Sequence, residues 1–300
     1  MTYLSVCSGI EATSVAWEPL GFMPVGFAEI EPFPCELLRQ KYPAVKNYGD
    51  ITQYEKWNIG QFDILVGGTP CQSFSIAGKR GGSADERGAL MYAYLGIVEA
   101  HRPRWVIWEN VPGVLSSNSG YDFTSFLAGL EECGYGWAYR VFDARYFGVP
   151  QRRRRVFVVG HIDNRTDLAA KVLFEQQGVC GNIAAGSETQ KEATAAIGKG
   201  VNYFRRGGNF KYHKDKKAAT LRSSAASDCF DLVLTSEKEY IRHLTPLECE
   251  RLQGFPDNYT QIEWRGKPTE QCPDSLRYRA IGNSMAVPVM RWIGKRVKGI

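Results

Sequence analysis

Short apolar runs alternate with amphipathic stretches through the first 160 residues, and few folds accept that pattern. Strands are expected over residues 3–7, 24–28, 62–66, 105–108, 139–143 and 155–160. Helices are expected over 9–17, 35–42, 90–100 and 123–133. Strand–helix alternation of this kind builds an α/β fold, a doubly wound and mostly parallel sheet covered on both faces. Such sheets place ligands along the carboxyl edge of their strands, so the residues just past each strand are the ones to read for chemistry.

The richest of these edges follows residues 62–66. Gly67 and Gly68 allow a sharp turn there, and Pro70 fixes its own φ and holds Thr69 out of helix. Cys71 is thereby presented from a defined loop, Gly67-Gly68-Thr69-Pro70-Cys71-Gln72-Ser73-Phe74-Ser75. A nucleophile and a buried structural cysteine are both open at this point. The first strand runs into Cys7-Ser8-Gly9-Ile10, a small-residue turn of the type that lies under nucleotide-like cofactors. The second ends at Glu29 and Glu31, where an acid can accept hydrogen bonds from ribose hydroxyls or sit as an ordinary surface carboxylate. Gly49-Asp50-Ile51 offers further contacts on the same edge. Glu109 follows strand 105–108 directly and faces the edge that carries Cys71. In Gln151-Arg152-Arg153-Arg154-Arg155, extended backbone puts Gln151, Arg153 and Arg155 on one face and Arg152 and Arg154 on the other. One face is expected to meet the active site and the other phosphate.

Composition narrows the class. Three hundred residues with 44% hydrophobic content suit one large α/β domain with a smaller companion. No apolar run reaches membrane-spanning length and no leader-like start is present, so a cytoplasmic location without membrane contact is the expectation. Eight cysteines are scattered with no C-x-x-C pair, which suits free thiols and no metal cage. The net charge of +5 is modest, but a second basic cluster of Arg205, Arg206, Lys211, Lys214, Lys216, Lys217 and Arg222 is interleaved with Tyr203, Phe204, Phe210, Tyr212 and His213. Basic residues among aromatics suit a polyanion with exposed bases, against the commoner reading of a solvated face. From about Asn164 the alternation stops, and residues 178–230 read as loop-rich. Order resumes at Thr245, a plausible N-cap with Pro246 at the first helical position, and the last segment, 278–297, reads as helical after Gly282-Asn283.

Taken in order, six motifs resemble the DNA cytosine-5 methyltransferases of prokaryotic and phage type over nearly the whole chain. They are the Ser-Gly-Ile turn near residue 9, Gly-Gly-Thr-Pro-Cys-Gln-Ser-Phe-Ser at 67–75 and Glu-Asn-Val at 109–111. Gln-x-Arg-x-Arg at 151–155, Leu-Thr-Pro-Leu-Glu-Cys-Glu-Arg-Leu-Gln-Gly-Phe-Pro at 244–256 and Gly-Asn-Ser-Met-Ala-Val-Pro-Val at 282–289 complete the set. The resemblance implies a Rossmann-like S-adenosylmethionine-dependent catalytic domain over 1–165, completed by 277–300. A target-recognition domain would occupy 166–276.

The same resemblance assigns roles. Cys71 would attack C6 of a flipped cytosine, Glu109 would contact N3 and the exocyclic amine, and Arg153 and Arg155 would be the two active-site arginines. S-adenosyl-L-methionine, leaving as S-adenosyl-L-homocysteine, would be held by Ser8, Gly9, Ile10, Glu29, Ile30, Asp50, Ile51, Leu90, Asn283 and Ser284. Duplex DNA would meet Gln72, Ser75, Arg152, Arg154, Arg205, Arg206, Thr220, Leu221 and Arg222. A monomeric enzyme, with a cognate restriction endonuclease as partner, follows from the same likeness. In the first motif Cys7 and Glu11-Ala12 stand where the family commonly has Phe and a Gly-Gly pair. Competing expectations are a transfer-RNA cytosine-5 methyltransferase, a non-catalytic DNA-binding relative and a dinucleotide oxidoreductase. The last lacks its G-x-G-x-x-G.

Overall fold

The structure, a computed structural model, describes residues 1–70, 90–175 and 242–300 in full, and only the backbone of 86–89, 202–206, 212–215, 232–234 and 241. The large sheet contains β1 (Thr2–Val6), β2 (Met23–Ala28), β3 (Ile64–Gly67), β4 (Trp105–Asn110), β5 (Tyr135–Asp143) and β6 (Arg154–Ile162). Its spatial order is β2-β1-β3-β4-β6-β5. β1 runs parallel to β2 and β3, and β3 parallel to β4, whereas β6 is antiparallel to both its neighbours. β5 and β6 are joined by only a short stretch containing a 3-10 turn, Ala144–Phe147, and a short link forces the return strand to run backwards.

The strands are apolar on both sides, and their period of two sorts the side chains between two cores. Tyr3, Ile64, Val66, Trp105 and Ile107 face α1 (Ala12–Trp17), α2 (Pro32–Lys41), α5 (Thr166–Leu173) and the C-terminal helices. Leu4, Leu65, Val106 and Trp108 face α3 (Glu86–His101) and α4 (Tyr121–Glu132). The sheet is therefore doubly wound and mostly parallel.

After α5 the described backbone forms a second sheet of β7 (Asn202–Arg206), β8 (Tyr212–Asp215), β9 (Leu232–Leu234) and β10 (Ile241–His243), in the order β10-β9-β7-β8 and antiparallel throughout. The chain then returns to the first core through α6 (Pro246–Gln253), α7 (Asp274–Asn283) and α8 (Val287–Lys298). α6 begins as expected: Pro246 sits in its first turn, and Thr245 and Glu248 cap each other's backbone in a capping box. α8 locks onto α1. Trp17 Nε1 donates to the Met290 carbonyl at 2.7 Å, and a Cβ on Gly294 would lie 2.5 Å from that same nitrogen, so only glycine lets the helices meet there.

Three expectations need correction. The helix expected over 9–17 starts at Ala12, because Gly9 and Glu11 have φ of 55° and 58°. The alternation expected to stop near Asn164 runs on through one more helix, α5, whose Leu168, Ala169, Val172 and Leu173 are buried in the first core. The last segment is helical after Gly282-Asn283 as expected, from Val287, but a further helix, α7, runs up to Asn283, with Ser284 and Ala286 extended between the two. Among the described residues no helix is long and apolar enough to cross a membrane, and no group of three or more His, Cys, Asp or Glu is placed to hold a metal.

Candidate active site

A cleft of about 770 Å³ runs along the carboxyl ends of β1 to β4. Its two ends are built differently.

At one end β3, β4 and β6 converge. Glu109, next to last in β4, meets Arg155 at the start of β6, with Nε 3.0 Å from Oε1 and both side chains mostly buried. The register of the strands brings them together: Glu109 pairs with Phe157, two residues from Arg155 and on the same face. Gly68 passes directly over this carboxylate. A Cβ there would lie 2.7 Å from the Glu109 carbonyl oxygen and 2.9 Å from Oε2, so the loop approaches this closely only with glycine. Two β4 side chains then hold the next residue. Trp108 Nε1 donates to Thr69 Oγ1 at 3.2 Å, and Asn110 Nδ2 donates to the Thr69 carbonyl at 3.0 Å. The backbone is thus held at Gly68 and Thr69, directly over the Glu109 carboxylate.

The other end is shaped by backbone. Cys7 and Gly9 have positive φ, which turns the loop after β1 across the cleft. Gly9 N–H donates to Glu29 Oε2 at 2.7 Å, while Ile30 and Glu31 N–H both donate to Oε1 at 2.8 Å. Ile30 itself stands 67% exposed on the cleft wall, a large apolar side chain with open space before it. Asp50 caps the 3-10 turn Ile51–Lys56 by accepting from Thr52 N–H at 2.9 Å. Beneath the loop, buried Glu11 accepts from Ser14 N–H at 3.1 Å and from the hydroxyls of Ser14 and Ser5. Burial pushes its carboxyl up to about 7, with those hydrogen bonds pulling the other way. Burial, helped by Glu29 and Asp50, pushes the Cys7 thiol up to about 12, so it stays protonated at neutral pH.

The cleft brings together most of the expected cofactor residues: Gly9, Glu29, Ile30, Asp50, Ile51 and Leu90, with Asn283 on the far wall. Ser8, Ile10 and Ser284 stand behind it. Ser8 Oγ donates to the Ser5 carbonyl, the Ile10 carbonyl accepts from Tyr259 Oη at 2.9 Å, and the Ser284 carbonyl accepts from Arg153. Gln151 and Arg153 are buried and Arg155 half-buried, whereas Arg152 and Arg154 are exposed, matching the expected alternation. Arg153 reaches further than expected. Its guanidinium donates to the carbonyls of Gly282 and Ser284, and burial, with Arg155 nearby, lowers its pKa. Cys71, Gln72, Ser75, Thr220, Leu221 and Arg222 lie outside the described residues, as do the side chains of Arg205 and Arg206. Sequence reading missed Gly68, Thr69 and Asn110 as a positioning set, and Arg279 as part of the cleft wall. The Glu109-Asn110 neighbour pair was the available signal, since successive strand residues serve opposite faces.

The family model for C-5 cytosine-specific DNA methylase matches residues 1–177 and 176–299. The chain belongs to this family. It is 36% identical to a protein of Escherichia phage P1 named DNA N-6-adenine-methyltransferase, over 99% of this chain and 61% of that one. It is 30% identical to the Type II methyltransferase M1.ScrFI of Lactococcus lactis subsp. cremoris, over 90% of this chain and 70% of that one. Among solved structures, the S. pombe Dnmt2 methyltransferase superposes with a TM-score of 0.63 over 100% of this chain and 99% of its own, at 17% identity, a likeness of fold.

Proposed function

We propose that this chain transfers a methyl group from S-adenosylmethionine to C5 of a cytosine in a specific duplex DNA sequence, through a covalent adduct of Cys71 at C6. The observation that carries the reading is the Glu109–Arg155 pair, 3.0 Å apart, with the backbone leading to Cys71 fixed above it by Gly68, Trp108 and Asn110.

C5 of cytosine is a weak carbon nucleophile. When the Cys71 thiolate bonds to C6, the electron pair of the 5,6 double bond moves into the ring, and C5 becomes enamine-like. Glu109, held by Arg155, would meet N3 and the exocyclic amine and offset that charge. After transfer, the C5 proton leaves to a base, the 5,6 double bond re-forms and the thiolate departs. The target base reaches this site by flipping out of the stack. The described cysteines with shifted thiols, Cys7, Cys35, Cys133 and Cys272, are all raised by burial and fit the nucleophile role poorly.

The cleft fits the donor. Its volume lies in the range of small-molecule sites, it offers two carboxylates and N–H groups at one wall, and Ile30, Ile51 and Leu90 supply apolar surface for a flat base. Glu29 would hold the ribose, Ile30, Asp50 and Ile51 the adenine, and Gly9 and Asn283 the amino-acid end. When bound, S-adenosylmethionine supplies an electrophilic methyl group, and no metal is required.

The antiparallel sheet within 166–276, with Arg205 and Arg206 on β7, is proposed to read the target in the groove, while Arg152 and Arg154 meet phosphate. The packing of α5 and α6 to α8 in the first core supports a reading unit drawn from the chain between them. A monomer that protects DNA from an endonuclease cutting the same sequence completes the proposal.

The name of the phage P1 relative raises adenine N6 as a second substrate. That protein is longer than this chain, so a name given to the whole need not describe the shared part. An exocyclic amine also carries its own lone pair and needs no thiolate addition. DNA containing 5-fluorocytosine separates the two, since fluorine at C5 cannot leave as a proton does. A denaturant-stable protein–DNA adduct with the full chain and S-adenosylmethionine, lost in Cys71→Ala, is expected. No adduct would point to a different chemistry.

A further inference from the structure

Between α7 and α8 the chain breaks helix at one wall of the cleft, where Gly282 and Asn283 line it. Helix ends leave carbonyls without intrahelical partners, and buried ones must find partners elsewhere. Two side chains from distant parts of the chain supply them. Gln253, the last residue of α6 and 0% exposed, donates from Nε2 to the Ile281 carbonyl at 3.0 Å and to that of Ser284 at 3.2 Å. Arg153, 2% exposed, donates from Nη1 to the Gly282 carbonyl at 3.2 Å and from Nη2 to that of Ser284 at 2.6 Å. The break is gripped from two sides, and both grips share the Ser284 carbonyl. Gln253 Oε1 has no hydrogen-bond partner among the described residues, so this amide is placed by what it donates to. Gly254 follows with a φ of 80°, and a Cβ on it would lie 2.6 Å from Pro288 Cδ, which presses the end of α6 onto the first turn of α8.

We infer that Arg153 and Gln253 are positioning residues for the cofactor pocket. Their clamp on residues 281–284 holds Gly282 and Asn283 at the cleft wall, so donor affinity depends on two buried side chains that do not line the cleft. The inference rests on reading the cleft as the S-adenosylmethionine site. The other end of α6 adds to it. Glu248, in the capping box, receives both Nη atoms of Arg242 from β10 at 2.7 Å each. One helix therefore joins the smaller sheet to the cofactor wall.

Calorimetric titration of the full chain with S-adenosylhomocysteine tests the clamp. Gln253→Met keeps the volume and removes the donors, and its Kd is expected to rise about 10-fold, the cost of one to two hydrogen bonds. Gln253→Glu sets a carboxylate against the two carbonyls and is expected to bind more weakly still. Arg153→Lys, with one donor group left, falls between wild type and Arg153→Met. In turnover, KM for S-adenosylmethionine rises in Gln253→Met by more than kcat falls, a split that general loosening of the fold would not give. One arm needs no variant: in the wild type, S-adenosylhomocysteine should slow amide exchange across 282–286. Wild-type affinity in a folded Gln253→Met, or unslowed exchange across 282–286 while the ligand binds, overturns the clamp. A wild-type chain that fails to bind S-adenosylhomocysteine at all overturns the cofactor reading instead.

Discussion

The two ends of the cleft solve positioning in opposite ways. At the Glu109 end, side chains brace side chains. Arg155 holds the carboxylate, Trp108 and Asn110 hold Thr69, and Gly68 exists to let backbone pass over Glu109. At the Glu29 end, backbone does the work: positive φ at Cys7 and Gly9, and three N–H groups on one carboxylate. The difference matches the two tasks proposed. A reacting centre needs sub-ångström placement of a few charged atoms, whereas a cofactor site needs a shaped wall with spare capacity. Changes at the first end should therefore act on kcat and changes at the second on KM.

The largest effect is expected for Cys71→Ser, with methyl transfer down by at least about 10⁴-fold and DNA binding retained in a gel-shift assay. Glu109→Gln keeps the shape but loses the charge that Arg155 orients, and kcat should fall about 10²–10³-fold. Gly68→Ala forces the loop off the Glu109 carboxylate, and a displacement near 1 Å should lower kcat about 10²-fold while Kd for S-adenosylhomocysteine stays near wild type. If it is Kd that moves instead, the two ends are not independent. At the backbone-built end, Ile30→Ala removes exposed apolar wall, and KM for the donor should rise about 3–10-fold, as expected for the loss of a few buried methylenes on binding.

A further effect concerns stability rather than turnover. Glu11 is raised to about 7 in the folded chain, from an ordinary 4.5. Between those values the folded state holds a proton that the unfolded state has released, so this site's contribution to stability is full below about 4.5 and declines as pH rises through about 7. Glu11→Gln removes the titration. Denaturant unfolding of both proteins from pH 5 to 8 should show the variant gaining on wild type with rising pH, by on the order of 3 kcal/mol across the range. A constant difference would mean Glu11 is charged throughout.

The sheet was legible in the sequence because its strands are buried on both faces and read as near-continuous apolar runs. The motif residues Glu109, Arg155, Gly9, Glu29 and Asp50 were legible for the same reason, since they sit where those runs end. The helix ahead of Gly282-Asn283 was harder, because α7 runs into those two residues, whereas the restart after them is marked by Pro288, which belongs in a helix's first turn. α5 escaped notice because its eight residues start with a polar turn. Partners across the chain were not legible at all. Thr69 and Asn110 are 41 residues apart, and Arg153 and Ser284 are 131 apart. Sequence shows that a donor is present, and only the fold shows which carbonyl it meets.

The Glu109 end is proposed to perform carbon chemistry on cytosine. Expressing the chain in a host free of DNA methylation, and mapping both 5-methylcytosine and N6-methyladenine at base resolution, tests it directly. The expected result is 5-methylcytosine in one recurring short sequence, absent when Cys71→Ser is expressed. N6-methyladenine with unmodified cytosine, or 5-methylcytosine that persists in Cys71→Ser, would contradict it.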